Sequence, residues 1–395
     1  MKWPMIKLSA VCQVNPRLPK DCDESQDVSF LAMASVSEDG VLLNQETRIL
    51  SETKKGFTYF ERGDVIVAKI TPCFENGKAA YLDSLQTKIG FGSTEFHVLR
   101  PDIERLDGKY LFYLIWNDKF RFIAERSMSG SAGQKRVPTK FLQDFNIPLP
   151  PLEEQKRIAA ILDKAYGIRQ KRQQAIALAD DFLRSVFLDM FGDPVTNPKG
   201  WDEVILKDIA DIRSGVTKGK IVKEDDAITL PYMRVANVQD GYLDLSSIQE
   251  ITVSKKDAKK SMLQIGDILL TEGGDPDKLG RGHIWNGEIE NCIHQNHIFS
   301  VRVIDSNYVR PSFLSSVISS PRGKKYFLKV GKQTTGIATI NKTVLSEFLP
   351  FIPPLEMQDK YLEIMKKMKG LPIYSECNYM RLFSSLSQKA FSGQL

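Results

Sequence analysis

A block of sequence near residue 150 returns near residue 353, and this duplication constrains the fold more than any other feature of the chain. Pro150-Pro151-Leu152-Glu153 with Gln155 recurs as Pro353-Pro354-Leu355-Glu356 with Gln358, an offset of 203 residues. The same offset pairs Gly63-Asp64-Val65-Ile66 with Gly266-Asp267-Ile268-Leu269, and Phe96 and Val98 with Phe299 and Val301. It also pairs Leu111, Leu114 and Ile115 with Leu314, Val317 and Ile318, Gly133 with Gly336, and Leu142 with Leu345. The N-terminal edges match more loosely, Trp3 opening one half and Trp201 the other. Solenoid repeats are roughly 20–50 residues long, so this period describes two whole domains of one kind, within the two or three that 395 residues allow. Between the matched blocks the copies diverge: residues 69–76 bear little resemblance to 272–279. A shared scaffold with different loops suits one job done on two targets; loops that merely drifted are the plainer alternative.

Each half reads as mixed α and β. Residues 65–70 and 268–271 are short apolar runs after Gly-Asp, the pattern of buried strands. Phe299, Val301 and Val303 alternate with Ser300 and Arg302, which predicts a half-buried strand. Leu111, Leu114, Ile115 and Phe122 fall on one face of a predicted helix. The expectation is a compact α+β domain of about 150 residues, present twice.

Each half then changes character. Pro148-Leu149-Pro150-Pro151 is a stiff lead-in. Residues 152–190 contain one Gly (Gly167) and no Pro, with Glu153 and Glu154 placed to complement the dipole of a first helical turn. Ile158, Leu162, Ala165, Arg169, Arg172, Ile176, Ala179, Leu183, Val186 and Met190 step by 4-3-4-3, a coiled-coil seam broken by two arginines. In the second copy Met357, Tyr361, Ile364 and Met368 follow the same steps, before Gly370-Leu371-Pro372 interrupts the helix. Residues 1–150 and 201–353 are therefore expected to be globular. Residues 151–191 form a first helix, 192–200 a turn-rich linker, and 354–395 a second helix interrupted near Pro372. Two long amphipathic helices in one chain are each other's nearest partners, which predicts an antiparallel coiled coil acting as a spacer.

Composition narrows the function classes. A net charge of +5 permits nucleic-acid binding without demanding it. Five scattered cysteines without a C-x-x-C argue against a disulfide framework and suit the cytoplasm. The first fifteen residues have no continuous apolar run, and no stretch approaches the ~20 apolar residues of a membrane span. The chain lacks G-x-x-x-x-G-K-[ST], H-E-x-x-H, G-x-S-x-G and the N-P-P-F/Y or D-P-P-Y turn of DNA methyltransferases. An enzyme with an unrecognised active site is thus disfavoured. Cys292, His294 and His297 would offer at most three ligands and lack an evident fourth, so a polar strand edge is preferred over zinc.

The order of motifs resembles the specificity subunit of type I restriction–modification systems. These are a variable domain, residues 148–155 with a long helix, Phe191-Gly192-Asp193-Pro194, a second variable domain, residues 352–358 with a second helix, and the ending 389–395. The resemblance covers essentially the whole chain, and the Gly370-Leu371-Pro372 interruption departs from it. It implies two target-recognition domains, each reading half of a bipartite double-stranded DNA sequence. It also implies conserved helices that dock two methyltransferase subunits, and no catalysis in this chain. S-adenosylmethionine, ATP and Mg would belong to partner subunits, the latter two to a motor-nuclease. A coiled-coil scaffold for protein partners, without DNA specificity, is the alternative.

Under that resemblance the divergent loops are the candidate DNA contacts, each with a plain solvated turn as its other reading. They are Lys69, Thr71, Asn76 and Lys78, with Asp275, Lys278 and Arg281 in the second copy; Ser131, Gln134, Lys135 and Arg136, with Gln333 and Thr335; and His294, Gln295 and Asn296 as base-edge donors and acceptors. The six basic residues between 156 and 172 are read as a solvated or partner-facing helix face rather than a phosphate track. Ile158, Leu162, Ile176, Leu183, Tyr361, Ile364 and Met368 are the candidate spacer and methyltransferase-docking positions.

Overall fold

The computed structural model describes residues 3–131, 133–274, 279–334, 337–374 and 379–395, with backbone alone at 332–334, 337 and 379–382. The chain forms two compact units: residues 1–174 with 376–395, and residues 175–375.

Each unit is α+β, and the two are built alike. In the first, an antiparallel sheet runs in the order Cys12–Val14, Phe96–Pro101, Val65–Ala68, Ala79–Tyr81. In the second, Ala210–Ser214, Ile298–Val303, Ile268–Thr271 and Gly282–Ile284 repeat that order. A second sheet follows the same plan in both: Asp27–Leu31 lies between antiparallel Glu46–Ile49 and parallel Ile89–Gly92, and Ala227–Met233 lies between antiparallel Gln249–Ser254 and parallel Ile293–His294.

The expected strands are present, with one change of register. Ala68 opposes Phe96 and Thr271 opposes Ile298, so the structural equivalents here are 202 residues apart: Phe96 answers Ile298, not Phe299. A buried ion pair confirms the shift. Arg100 forks onto Asp64 (2.8 and 2.8 Å), and Arg302 onto Asp267 (2.6 and 2.7 Å). Each Asp also accepts a turn N–H, from Glu61 or from Gln264, so both carboxylates are satisfied at the start of a buried strand.

The single helix expected over residues 111–122 is two helices, Gly108–Trp116 and Asp118–Arg126. Asn117 stops the first and caps the second, its side chain accepting from Lys119 N (2.8 Å). Phe122 consequently lies on the exposed side. The second unit repeats the break at Ser320, between Pro311–Ser319 and Pro321–Val330.

The repeated Pro-Pro-Leu-x-x-Gln motif has a structural role. Gln155 accepts from Asp107 N (2.8 Å) and donates to Pro150 O (2.8 Å) and Arg105 O (2.9 Å). Gln358 makes the same three bonds, with Arg310 N, Pro353 O and Tyr308 O. Both side chains are fully buried and clamp the helix start to the turn before the first domain helix.

The long helix spans Leu152–Phe191. Its last turns belong to the second unit, where Phe187 and Phe191 pack on Phe313, Phe351 and Tyr361. There Leu355–Lys369 runs antiparallel to it: Tyr361 lies 5.4 Å from Phe187, while Tyr374 Oη, further on, donates to Asp180 (2.7 Å). In the first unit the corresponding seat is filled by the last helix of the chain, Tyr379–Ser392. Phe383 sits among Tyr113, Trp116 and Tyr166, and Phe391 lies 5.4 Å from Tyr110. Ser387 Oγ accepts from Asn117 (2.6 Å), and Ala390 is fully buried. Arg157 donates to Leu395 O (3.3 Å), so this pair is antiparallel too. The segment expected to be one interrupted second helix is thus divided, its first part in one unit and its last part in the other.

Candidate nucleic-acid interface

The loops that diverge most are stitched together in both units by the same backbone bonds. In the first unit Ile70 bridges Arg136, Ser129 bridges Arg136, and Val137 N donates to Lys69 O (2.9 Å). In the second, Gly273 pairs with Thr339, Lys332 also pairs with Thr339, and Ile340 N donates to Glu272 O (2.8 Å). These partners are related by the 203-residue offset, residue for residue. Two loops some sixty residues apart therefore become one ribbon, whose scaffold repeats and whose side chains do not.

In the first unit Ser131, Gln134 and Lys135 are exposed on this ribbon, and none of the three side chains has a hydrogen bond or ion pair among the described residues. Lys69 is half-buried beside them. Thr71 is the clasp: its hydroxyl donates to Gly133 O (3.1 Å) and accepts from Lys135 N (3.2 Å). Arg136 is held by Glu95 through Nη2 (2.8 Å) and Nε (3.0 Å), and this hydrogen-bonded guanidinium keeps the Glu95 carboxyl below the usual glutamate range. Asn76 and Lys78 turn the other way, onto Glu38 (2.8 Å) and Met33 O (3.4 Å). Arg281 occupies the place equivalent to Lys78 and donates to Gln239 (3.2 Å).

In the second unit Gln295 and Asn296 are half-buried; their backbone N–H groups bond Met233 O and Val216 O, leaving both side-chain amides unpaired among the described residues. His294 is buried, with Nδ1 3.0 Å from Ser261 O, so its ring is held inside the fold of this unit. Cys292, His294 and His297 point to three different places, toward Ile293 O, Ser261 O and Glu272. Asp275, Lys278 and Thr335 lie outside the described residues, as does the side chain of Gln333.

Most of the expected helix positions are taken up by packing within the chain. Ile158 and Leu162 are buried in the core of the first unit and Tyr361 in that of the second, with Ile364 packed against the latter; Leu183 is buried on the long helix. An apolar seam is spent on the chain's own domains. The apolar side chains left open on the long helix within the second unit are Leu178 (70% exposed), Phe182 (49%) and Leu188; Ile176 and Met368 are half-buried.

Sequence reasoning missed a basic cluster in the second unit. Lys218, Lys220 and Lys223 precede the strand Ala227–Met233, and Lys256, Lys259 and Lys260 follow the strand Gln249–Ser254. The two groups are thirty-odd residues apart in sequence. Only the antiparallel pairing of Ala227 with Ser254 brings them together.

His97 ties the first ribbon to its sheet. Its ring is buried, with Nε2 donating to Val137 O (2.8 Å) and Nδ1 accepting from Asn15 Nδ2 (3.2 Å). Burial holds its pKa below the usual histidine value. The unfolded chain takes up this proton near pH 6.5 and the folded one resists it. Stability present above about pH 6.5 is therefore lost as pH falls, with a limiting slope of about 1.4 kcal/mol per pH unit. Hydrogen exchange of the first unit between pH 7 and 5 should show this loss, and His97→Gln should flatten it.

Two like α+β domains thus each carry a repeated scaffold under a polar ribbon of differing sequence. Residues 1–178 and 198–371 match the type I restriction modification DNA specificity domain, and the chain belongs to that family. Among its relatives is the specificity subunit of the type I restriction enzyme EcoEI from Escherichia coli, 40% identical over 181 residues, which are 45% of this chain and 30% of that one. The EcoBI specificity subunit, also from Escherichia coli, is 26% identical over 306 residues, covering 68% of this chain and 62% of its own. The chain thus spans less than two thirds of these relatives. A solved S subunit of a type I restriction–modification system from M. genitalium shares the fold at 15% identity and a TM-score of 0.54, over 98% of this chain and 96% of that one. No helix among the described residues is long and apolar enough to cross a membrane.

Proposed function

We propose that the chain is the DNA-recognition subunit of a type I restriction–modification assembly, reading a bipartite target with one domain per half-site. The observation that carries this is the ribbon built twice on the same backbone bonds from different sequences. Ser131, Gln134 and Lys135 on the first ribbon, and Gln295 and Asn296 in a separate loop of the second unit, offer donors and acceptors of the kind that distinguish base pairs in the major groove. The subunit is non-catalytic and presents DNA to two methyltransferase subunits, which bind S-adenosylmethionine and flip the target base. ATP and Mg belong to a motor-nuclease where one is present. Leu178 and Phe182 are the apolar side chains best placed to meet such a partner. The family membership favours this reading over a protein scaffold, which predicts no salt-dependent DNA binding.

The test uses the full chain with its methyltransferase. Gln134→Ala and Lys135→Ala should relax base preference at one half-site by about 1–3 kcal/mol per lost base contact and leave the other half-site intact. Equal loss of preference at both half-sites, or none at either, contradicts the assignment.

A further inference from the structure

We infer that the two domains share the DNA unequally: the second domain supplies most of the electrostatic hold on the phosphate backbone, and the first reads its half-site with little of it. The inference rests on the DNA-reading function proposed above.

Its basis is the lysine cluster of the second unit. Lys218, Lys220, Lys223, Lys256, Lys259 and Lys260 are all exposed, and among the described residues only Lys220 of these has an ion pair, a long one to Asp257 (3.4 Å). The intervening acids do not cancel the cluster. Asp226 accepts from Lys255 N (3.3 Å), which fastens the loop to the helix start, and Lys255 Nζ is spent on Asp225 O (3.0 Å). Residues 218–226 and 255–260 hold seven lysines against Glu224, Asp225, Asp226 and Asp257, so the patch is positive overall.

The patch is continuous with the candidate base contacts. Val216 N donates to His294 O (2.8 Å) and Asn296 N to Val216 O (2.9 Å). Gly215 lies so close to this segment that a Cβ there would fall 1.9 Å from His294 O. The lysine loop therefore leaves the fold directly beside Gln295 and Asn296.

The equivalent surface of the first unit has the opposite balance. There Asp27 opposes Ile49 as Ala227 opposes Ser254. Around that pairing, Arg17, Lys20, Lys54 and Lys55 face Asp21, Asp23, Glu24, Asp27 and Glu52, and Lys54 is already paired with Glu24. A phosphate backbone laid on this surface meets net negative charge. Each phosphate neutralised contributes about 0.9 to the slope of log affinity against log salt, so the asymmetry is measurable.

The experiment is a salt titration of duplex binding by the full chain in complex with its methyltransferase. It compares wild type, a Lys218→Gln/Lys220→Gln/Lys223→Gln variant, a Lys256→Gln/Lys259→Gln/Lys260→Gln variant, and a first-domain control carrying Lys20→Gln/Lys54→Gln/Lys55→Gln. Each second-domain triple is expected to reduce the slope by about 2–3 and to weaken target and non-target duplexes alike, while the control reduces it by less than about 1. Unchanged thermal melts show that each variant folds. A wild-type slope that persists in the second-domain variants, or falls equally in the control, overturns the unequal division alone. Absence of any salt-dependent binding by wild type overturns the DNA-reading function and this inference with it.

Discussion

Truncating the chain after Tyr374 is expected to unfold the first unit, at the far end of the sequence, and to leave residues 175–374 folded. The final helix completes the core of the N-terminal unit: Phe383, Phe391 and Ala390 lie against Tyr110, Tyr113, Trp116 and Tyr166. Burying a large apolar side chain is worth about 1.5–3 kcal/mol. Phe383 and Phe391 are half-buried, so losing them with a buried alanine and the Ser387–Asn117 bond removes about 3–5 kcal/mol, a large part of the 5–15 kcal/mol that holds a typical domain. Hydrogen exchange resolves the two units: protection should vanish in Gly108–Trp116 and Asp118–Arg126 and persist in Pro311–Ser319. Protection retained in the first unit would show that its core closes without the last helix.

Asp267→Ala should produce the complementary result, destabilising the second unit and sparing the first. Asp267 is fully buried and accepts three bonds, two from Arg302 and one from Gln264 N. Breaking one side of a buried pair costs about 3–5 kcal/mol. Arg302 remains 18% exposed, so water reaches it and the loss lies toward the lower end. Asp64→Ala is expected to do the same to the first unit through Arg100. Exchange of the strands Ile268–Thr271 and Ile298–Val303, compared with Val65–Ala68 and Phe96–Pro101, reads both effects in one experiment.

Much of this architecture was legible because duplication fixes domain number and kind at once. The Gly-Asp strand starts, the Pro-Pro-Leu-x-x-Gln motif and the long helix each carry a local signal. The strand Phe96–Pro101 did not reveal its register, because most of its positions are buried on both faces and apolar spacing then says nothing about which face is which. Matching Phe96 to Phe299 satisfied identity and missed the pairing. The 4-3 seam on the long helix was visible, but periodicity cannot say whether an apolar stripe meets another helix, a partner or the chain's own domains; here Ile158 and Met190 lie in the domain cores. The break at Asn117 is set by its side chain capping the second helix, which apolar spacing alone does not register.

The candidate site was half legible. Recurrence singled out the two loops, and the fold joins them into one ribbon in each unit. Which side chains remain free was decided by partners far away in sequence. Glu95 holds Arg136, Glu38 holds Asn76, and Ser261 accounts for His294. The lysine cluster escaped notice for the same reason, since its halves meet only through a strand pair.

The most direct measurement is a genome-wide map of methylated bases in cells that co-express this chain with its methyltransferase. Two fixed half-sites separated by an unread gap of constant length, with methylation lost when this chain is omitted, are the predicted result. Methylation at a single contiguous motif, or methylation that does not depend on the chain, would contradict a two-domain reader.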